Sequence, residues 1–192
     1  MHRRMLLDLL DAYAATWPED RERLAGFRAF VASHDDCFLR TCLPGHVTAS
    51  AWAVSACRTR NLLVLHKKLG KWLQPGGHAD GDGDTIAVAL REVHEETGLQ
   101  PRGVLPVRGH RAPLDIDVHE IPANASDPAH LHYDIRYLVD MGTNAMPVVS
   151  DESDDVRWFT AEGIGAVSDE EPLLRMARRS RAVLDERQET EA

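Results

Sequence analysis

The stretch that most constrains the fold is GGHADGDGDTIAVALREVHEETGL, residues 76–99, in which a glycine-rich acidic loop runs directly into a helix-forming segment. Asp84 fits the N-cap position, because its carboxylate can accept a hydrogen bond from the free backbone N–H groups of a first turn. Gly98 fits the left-handed residue that ends a helix, since glycine has no Cβ to oppose a positive φ. We therefore predict a helix over residues 85–97.

This predicted helix carries an apolar face and an acidic face. Apolar residues at helical spacing predict a buried stripe formed by Ile86, Ala89, Leu90 and Val93. Glu92, Glu95 and Glu96 share another face, where like charges repel by about 0.2–0.5 kcal/mol per pair and meet the negative end of the helix dipole. Mg²⁺ or Mn²⁺ would turn this repulsion into ligation, because both ions favour carboxylate oxygens. A solvated acidic face is the alternative, and the helix alone does not decide between them.

Composition limits the class of protein and its partners. The chain has 192 residues, of which 43% are hydrophobic and 28% charged, as in ordinary globular proteins. No apolar run approaches the roughly 20 residues that cross a bilayer, so we expect no membrane partner. The net charge of −9 argues against a broad nucleic-acid contact, although a bound metal can still admit a small phosphorylated ligand. Three cysteines without CxxC spacing indicate neither disulfides nor zinc, and fit a cytoplasmic location.

Hydrophobic periodicity predicts an α/β domain in which a sheet is layered with helices. Two helices are expected before the sheet, at residues 4–16 and 19–33, and a charged surface helix with several arginines after it, at residues 169–187. Predicted strands are 46–57, 61–66, 103–110, 114–121, 131–140 and 156–159. We divide the chain into an N-terminal helical extension, residues 1–40, packed on a main domain, residues 41–192, that includes the last helix.

A second polar cluster lies on two of the predicted strands. Alternate side chains of a strand point the same way, so each strand has a polar face, and antiparallel pairing across the polar loop would merge the two faces. The merged surface would contain Asp115, Asp117, His119, His130, His132, Asp134 and Arg136. It would be a substrate pocket in which Arg136 or the histidines receive phosphate, an extra metal site, or merely the solvent-facing side of a sheet.

Residues 77–99 resemble the signature of the Nudix hydrolase family, G-x5-E-x7-R-E-U-x-E-E-x-G-U, in which U is aliphatic. Gly77 matches the first glycine. The second half is matched at every fixed position, by Arg91, Glu92, Val93, Glu95, Glu96, Gly98 and Leu99. The segments Trp72–His78 and Ser153–Phe159 are also similar to parts of the family, so the resemblance covers roughly residues 45–165.

The resemblance implies a Nudix-type α/β/α sandwich with a mixed sheet, here with an N-terminal helical extension. It also implies a loop and helix that hold Mg²⁺, or Mn²⁺, against a diphosphate, and the hydrolysis of a diphosphate bond in a nucleoside diphosphate-linked or similar small molecule. Glu92, Glu95 and Glu96 would hold the metal, and Arg91 would orient these acids through ion pairs. Glycines at positions 76 and 77 would let the backbone approach the substrate.

Several further residues are candidates with an alternative structural role. His78 would lie over the phosphates or stabilise the turn. His119 and His132 would contact the substrate from the merged polar face. Glu152 lies in an acidic loop that supplies the general base in some family members, and otherwise is a solvated loop charge. We expect the protein to be a monomer or a homodimer.

The chain departs from the signature at Gly83, where the family has its first glutamate. A one-residue shift of the loop would let Asp82 or Asp84 take over that role, although Asp84 cannot easily cap the helix and ligate metal together. Alternatively, the position is dispensable because the general base lies elsewhere. A third account makes the protein a Nudix-fold binder of a nucleotide metabolite without catalysis. An isopentenyl-diphosphate isomerase-like activity ranks last, because it needs a cysteine that residues 72–96 do not contain.

Overall fold

The computed structural model describes residues 2–124, 127–151 and 153–191. Within these residues the helices are α1 (His2–Thr16), α2 (Arg21–Ser33), α3 (Thr85–Thr97), α4 (Ala161–Val167) and α5 (Glu171–Glu191). The strands are β1 (Gly45–Val54), β2 (Asn61–His66), β3 (Lys71–Leu73), β4 (Gly76–His78), β5 (Gly103–Val104), β6 (Asp115–Ile121), β7 (His130–Asp140) and β8 (Ser153–Phe159). No helix in these ranges is long and apolar enough to cross a membrane.

One mixed sheet organises the molecule. Its central pair is β1 and β7, which run parallel in register from Gly45 opposite Leu131 to Val54 opposite Asp140. The remaining pairings are antiparallel: β1 also pairs with β2 and β4, β2 with β3 and β8, and β7 with β5 and β6. This sheet with helices before, inside and after it confirms the predicted fold class and the N-terminal helices. The division into two domains at residue 40 stays a prediction.

Helix α3 forms where the sequence predicted it, with both predicted caps. The Asp84 side chain accepts a hydrogen bond from the Ala87 N–H at 3.1 Å. Gly98 has a left-handed φ of 68°, and its N–H donates to the His94 carbonyl at 2.8 Å. The predicted apolar stripe faces the core: Ala89 and Val93 are fully buried, and Ile86 and Leu90 are half-buried and pack against it. The fully buried positions are Thr85, Val88, Ala89, Val93, Glu96 and Thr97, so the helix turns one edge of its acidic face inward.

The other differences from the predicted elements have local causes. The strand expected over 103–110 shrinks to β5, because Arg108 and Gly109 adopt positive φ values of 48° and 79° and form a tight turn. Helix α4 was not predicted; its N-cap is Thr160, whose hydroxyl accepts a hydrogen bond from the Gly163 N–H at 3.2 Å. The short strand β4 lies in a segment expected to be loop, and it forms through long-range pairing with β1.

The two sides of the sheet differ in what covers them. On one side, Tyr133 of β7 stacks on Phe30 of α2 with ring centroids 3.8 Å apart. On the same side, the Tyr137 hydroxyl lies 2.6 Å from the Thr85 hydroxyl at the start of α3. The opposite side carries the alternating polar residues of β1, β6 and β7, and α5 covers part of it. The functional residues therefore divide between α3 and this polar side.

A buried ion-pair network joins α5 to the sheet and to the N-terminal helices. Asp115 is fully buried and accepts hydrogen bonds from Arg136, Arg175 and Arg179 at distances of 2.6–3.1 Å. Arg179 also donates to Asp20, which follows α1, at 2.8 Å. The expectation that α5 is simply a charged surface helix was therefore wrong for Arg175 and Arg179, although Arg178 and Arg181 are exposed.

Candidate functional site

Strand β4 and helix α3 approach each other closely at the two box glycines. The Gly76 N–H donates a hydrogen bond of 3.0 Å to Oε2 of Glu96, whose side chain is buried. A Cβ added to Gly77 would lie only 2.5 Å from Oε2 of Glu92. A Cβ at this position would push the Glu92 carboxylate aside, so glycine lets Glu92 lie against β4 as it does here.

Arg91 lies between the glutamates and the same strand. Its guanidinium is 3.2 Å from Oε1 of Glu92 and 3.7 Å from Oε1 of Glu95. Its Nη2 also donates to the His78 carbonyl oxygen at 3.4 Å. These contacts fit the expected orienting role, because one side chain joins two of the three carboxylates to the backbone of β4. Glu95 itself is exposed to solvent.

The three glutamates offer the donor set that a hard divalent ion requires. Mg²⁺ and Mn²⁺ prefer carboxylate oxygens, and Glu92 and Glu96 direct theirs toward β4 while Glu95 remains accessible. Glu96 is turned inward and buried, whereas the glutamates of a merely solvated acidic face would remain exposed. The chemistry of these side chains therefore fits a Mg²⁺ or Mn²⁺ site.

The loop before α3 shows how the residues around Gly83 are used. Oδ1 of Asp82 accepts a hydrogen bond from the Asp84 N–H at 2.9 Å, and the Asp84 carboxylate caps the helix. Asp84 therefore directs its oxygens toward helix amides, as expected if it is a cap rather than a ligand. Gly83 is buried in the wall of a groove of about 310 Å³, which α1 lines with Met5 and Leu9.

Arg40 is a residue near this loop that the sequence did not single out. It donates to both oxygens of Asp80, at 2.5 and 2.7 Å, and these hydrogen bonds hold the pKa of the Asp80 carboxyl below its usual value. The contact ties the segment before β1 to the box loop. A lone arginine forty residues before its partner gives no sequence signal.

The predicted merging of two polar strand faces is confirmed. In the β6–β7 register Asp115 is opposite Arg136, Asp117 opposite Asp134, and His119 opposite His132. The face extends further than predicted, because β1 places His46 beside His132 and β4 brings in His78. The sequence signal for His46 was the alternation of polar residues along β1. The parallel pairing of β1 with β7 then places the polar residues of both strands on the same face.

Five histidines meet at one end of this face. The ring centroid of His46 is 4.8 Å from that of His132, 4.9 Å from His130 and 5.1 Å from His78. His119 lies beside His132 at 5.5 Å. Burial is the main factor that lowers the pKa of His46 to about 4, with His78 and His130 contributing, and it also lowers the pKa values of His78 and His132. All three rings are therefore largely neutral at pH 7, although only His46 is fully buried and His78 and His132 are half-buried.

Arg136 does not fit the expected phosphate-binding role. Its side chain is buried, and it donates to Asp134 at 2.7 Å, Asp115 at 3.1 Å and Asp117 at 3.2 Å. The neighbouring carboxylates raise the pKa of the guanidinium despite its burial. Because three aspartates surround this cation, the structure assigns Arg136 to the ion-pair network rather than to a ligand.

Glu152, the candidate general base, lies outside the described residues. Its neighbour Asp151 is exposed, and the Asp151 carbonyl accepts a hydrogen bond from Lys67 at 3.4 Å. The assignment of Glu152 therefore stays a prediction.

The mixed sheet and the glutamate helix packed on its glycine strand define a Nudix-type protein. A sequence profile of the NUDIX domain matches residues 44–183. The chain belongs to the Nudix hydrolase family, which confirms the resemblance seen in the sequence.

Individual relatives agree with this family. The chain is 28% identical over 94 residues to a probable DHNTP pyrophosphohydrolase of Lactococcus lactis subsp. cremoris; the match covers 48% of this chain and about half, 53%, of that relative. A C. elegans Ap4A hydrolase has a similar fold, with a TM-score of 0.56 and 17% identity over 72% of this chain and 97% of that one. An E. coli dihydroneopterin triphosphate pyrophosphohydrolase has a TM-score of 0.55 and 12% identity, covering 72% and 95%.

Proposed function

We propose that this protein hydrolyses a diphosphate bond in a nucleoside diphosphate-linked or similar small molecule, with Mg²⁺ or Mn²⁺ as its cofactor. The observation that carries the proposal is the packing of β4 on α3, in which Gly76 hydrogen-bonds Glu96 and Gly77 lies against Glu92. The names of the pyrophosphohydrolase relatives support the same reaction class.

In this proposal the residues of α3 have distinct roles. Glu92, Glu95 and Glu96 hold the metal, which when bound would neutralise phosphate oxygens and polarise the attacking water. Arg91 positions Glu92 and Glu95 through its ion pairs. The main chain at Gly76 and Gly77 admits the diphosphate because no side chain projects from it.

Substrate contacts come from the polar side of the sheet next to β4. His78 follows Gly77 directly, and its neutral ring can donate or accept a hydrogen bond. His119 is partly exposed at the far side of the same cluster, where its ring lies 3.2 Å from the Asp117 carboxylate. In the proposal, both side chains contact the part of the substrate beyond the diphosphate.

Asp82 and Glu152 are the two candidates for the residue that activates the attacking water. Asp82 is exposed, but its Oδ1 already accepts a hydrogen bond from the Asp84 N–H. Glu152 is the second candidate. Asp82→Asn and Glu152→Gln variants, compared in their pH–rate profiles, would show which one removes the acidic limb of the profile.

A second candidate function, binding without hydrolysis, is favoured by Gly83 and by the use of Asp84 as a helix cap. A screen separates the two functions: nucleoside diphosphate sugars, ADP-ribose, dinucleoside polyphosphates, coenzyme A and nucleoside triphosphates are incubated with Mg²⁺ or Mn²⁺, and phosphate products are measured. Turnover that requires metal supports the enzyme. Calorimetric binding of a compound that is never cleaved supports the binder.

The Gly83→Glu variant tests the departure from the family signature. A large gain in rate would show that the natural loop is a weakened site. An unchanged rate, with unchanged thermal stability, would show that the general base lies elsewhere.

A further inference from the structure

We propose that His46, His130 and His132 form a second metal site, which binds a transition-metal ion of the Zn²⁺ class. One ligand atom from each of the three rings lies within 4.8 Å of those of the other two. The site is on the polar side of the sheet, where β1 and β7 run parallel, and is separate in sequence and in ligand chemistry from the glutamates of α3.

The strongest support is the state of the ring nitrogens. His46 is 3% exposed, and neither of its nitrogens has a hydrogen-bond partner within the ranges that the structure describes. Nε2 of His132 is likewise buried without a partner among those residues. A buried polar atom without a partner is costly, so one nitrogen of His46 and Nε2 of His132, which belong to the same cluster, indicate a ligand that binds both; the second nitrogen of the His46 ring carries its proton.

His130, the third proposed ligand, makes a hydrogen bond of a kind that metal-bound histidines commonly make. Nδ1 of His130 lies 2.9 Å from the Pro128 carbonyl oxygen, to which it can donate its proton. The other nitrogen, Nε2, is then an unprotonated donor, and such an outer hydrogen bond is typical of metal-bound histidines.

The donor set selects the class of metal. Imidazole nitrogen suits Zn²⁺, Ni²⁺, Cu²⁺ and Fe²⁺, whereas Mg²⁺ requires oxygen ligands. Zn–N bonds of 2.0–2.1 Å in a tetrahedral site place nitrogens about 3.3 Å apart. Binding would therefore require rotation of the half-buried His130 and His132 side chains, because the ligand atoms are now separated by up to 4.8 Å. Three protein ligands leave a fourth position for water or for an anionic oxygen.

Charge in the surroundings is compatible with a cation. His78 and His119, the other rings of the cluster, are on the same face, and Asp117 accepts a hydrogen bond from His119 at 3.2 Å when that nitrogen is protonated. Arg136 is the nearest cation on β7, but three aspartates neutralise it. The site is thus a histidine cluster beside an ion-pair network in which Asp115, Asp117 and Asp134 balance Arg136, Arg175 and Arg179.

The test is a Zn²⁺ titration of the 192-residue chain against a chromophoric chelator, in excess Mg²⁺ so that the carboxylates of α3 are occupied. We expect one equivalent of Zn²⁺, and an affinity at least about 100-fold weaker in His46→Gln and in His130→Gln. His110→Gln, at an exposed turn, is the matched control and should bind like the wild type. Visible absorption of bound Co²⁺ reports four-coordinate nitrogen ligation directly.

Two further results decide the assignment. The Glu95→Gln/Glu96→Gln double variant should retain the Zn²⁺ equivalent, which separates this site from the one in the proposed hydrolysis. His130 is half-buried at the start of β7, so its variant decides the matter if the His46 variant does not fold. Absence of the equivalent from the wild type, its loss in the glutamate double variant, or undiminished binding by His130→Gln would overturn the proposal.

Discussion

The main-chain N–H of Gly76 donates a 3.0 Å hydrogen bond to the carboxylate of Glu96, which joins the glycine strand β4 to the acidic face of α3. Glu96 is twenty residues further along the chain, near the carboxyl end of its helix, where the helix dipole disfavours an acid. The hydrogen bond fixes this carboxylate against the backbone on which a diphosphate is proposed to lie. The geometry of the site therefore depends on how closely β4 can approach α3.

Gly77→Ala tests this dependence on close approach. The new Cβ would lie 2.5 Å from Oε2 of Glu92, so the carboxylate or the strand must move. A displacement of about 1 Å in a catalytic constellation can cost about 100-fold in rate, and we expect a loss of kcat/KM of that order. Gly26→Ala on α2 is the control, because its Cβ meets nothing within 4 Å. Equal activity of the two variants would contradict the account.

Arg179→Met tests the network that joins the N-terminal helices to α5. The substitution leaves the buried Asp115 and Asp20 without one cation each, and removal of one partner of a buried pair costs about 3–5 kcal/mol. Urea unfolding should report that loss in the free energy of unfolding. The control, Arg181→Met, removes an exposed i,i+4 pair with Asp185 and should cost under about 1 kcal/mol. Similar losses of unfolding free energy in both variants would show that the buried network adds no more stability than an exposed ion pair.

The ionisation of Asp20 in this network should make the stability of the protein depend on pH. Burial would raise the pKa of Asp20, but hydrogen bonds from Tyr13 and Arg179 outweigh it and lower the pKa. A lowered pKa in the folded state gives stability that is present above the unfolded pKa of about 3.9 and is lost as pH falls through the folded pKa. Chemical denaturation at a series of pH values from 5 downwards should show the free energy of unfolding falling with pH in wild type and in the exposed-site control Asp11→Asn. The fall should be shallower in Asp20→Asn. The same dependence of unfolding free energy on pH in wild type and in Asp20→Asn would contradict this prediction.

Cys57 should be the reactive thiol of the protein. Hydrogen bonds from Ser55 and Thr59 lower its pKa to about 6, whereas burial raises the pKa values of Cys37 and Cys42 to about 11. At pH 7.5 the exposed Cys57 is therefore largely thiolate, the form that reacts with iodoacetamide. Mass spectrometry should find fast modification of one cysteine in the native protein and none in Cys57→Ser. Equally fast labelling of a buried cysteine would refute the assignment.

The parts of the fold that could be predicted from the sequence depend on local signals. Helix α3 was delimited by its own cap residues, Asp84 and Gly98, and the polar faces of β6 and β7 followed from alternation. The parallel pairing of β1 with β7 connects residues more than eighty positions apart and leaves no local trace. Without that pairing, His46 could not be assigned to the histidine cluster.

Helix α5 shows the same limit for charged residues. Arg175 and Arg179 are four positions apart, so they share one helix face, and the structure buries that face against Asp115. Nothing in the sequence distinguishes them from Arg178 and Arg181, which are exposed. Which face of a charged helix is buried depends on its partner, here an aspartate sixty residues earlier.

The most direct test of the central claim is the rate of Mg²⁺-dependent diphosphate hydrolysis by Glu96→Gln beside wild type, on the best substrate of the screen. Glu22→Gln, an exposed glutamate on α2, is the matched control. The account predicts that Glu96→Gln loses at least about 100-fold in kcat/KM, because it loses a metal ligand fixed by Gly76, and that the control retains full activity. Hydrolysis by Glu96→Gln at the wild-type rate would show that α3 is not the metal platform.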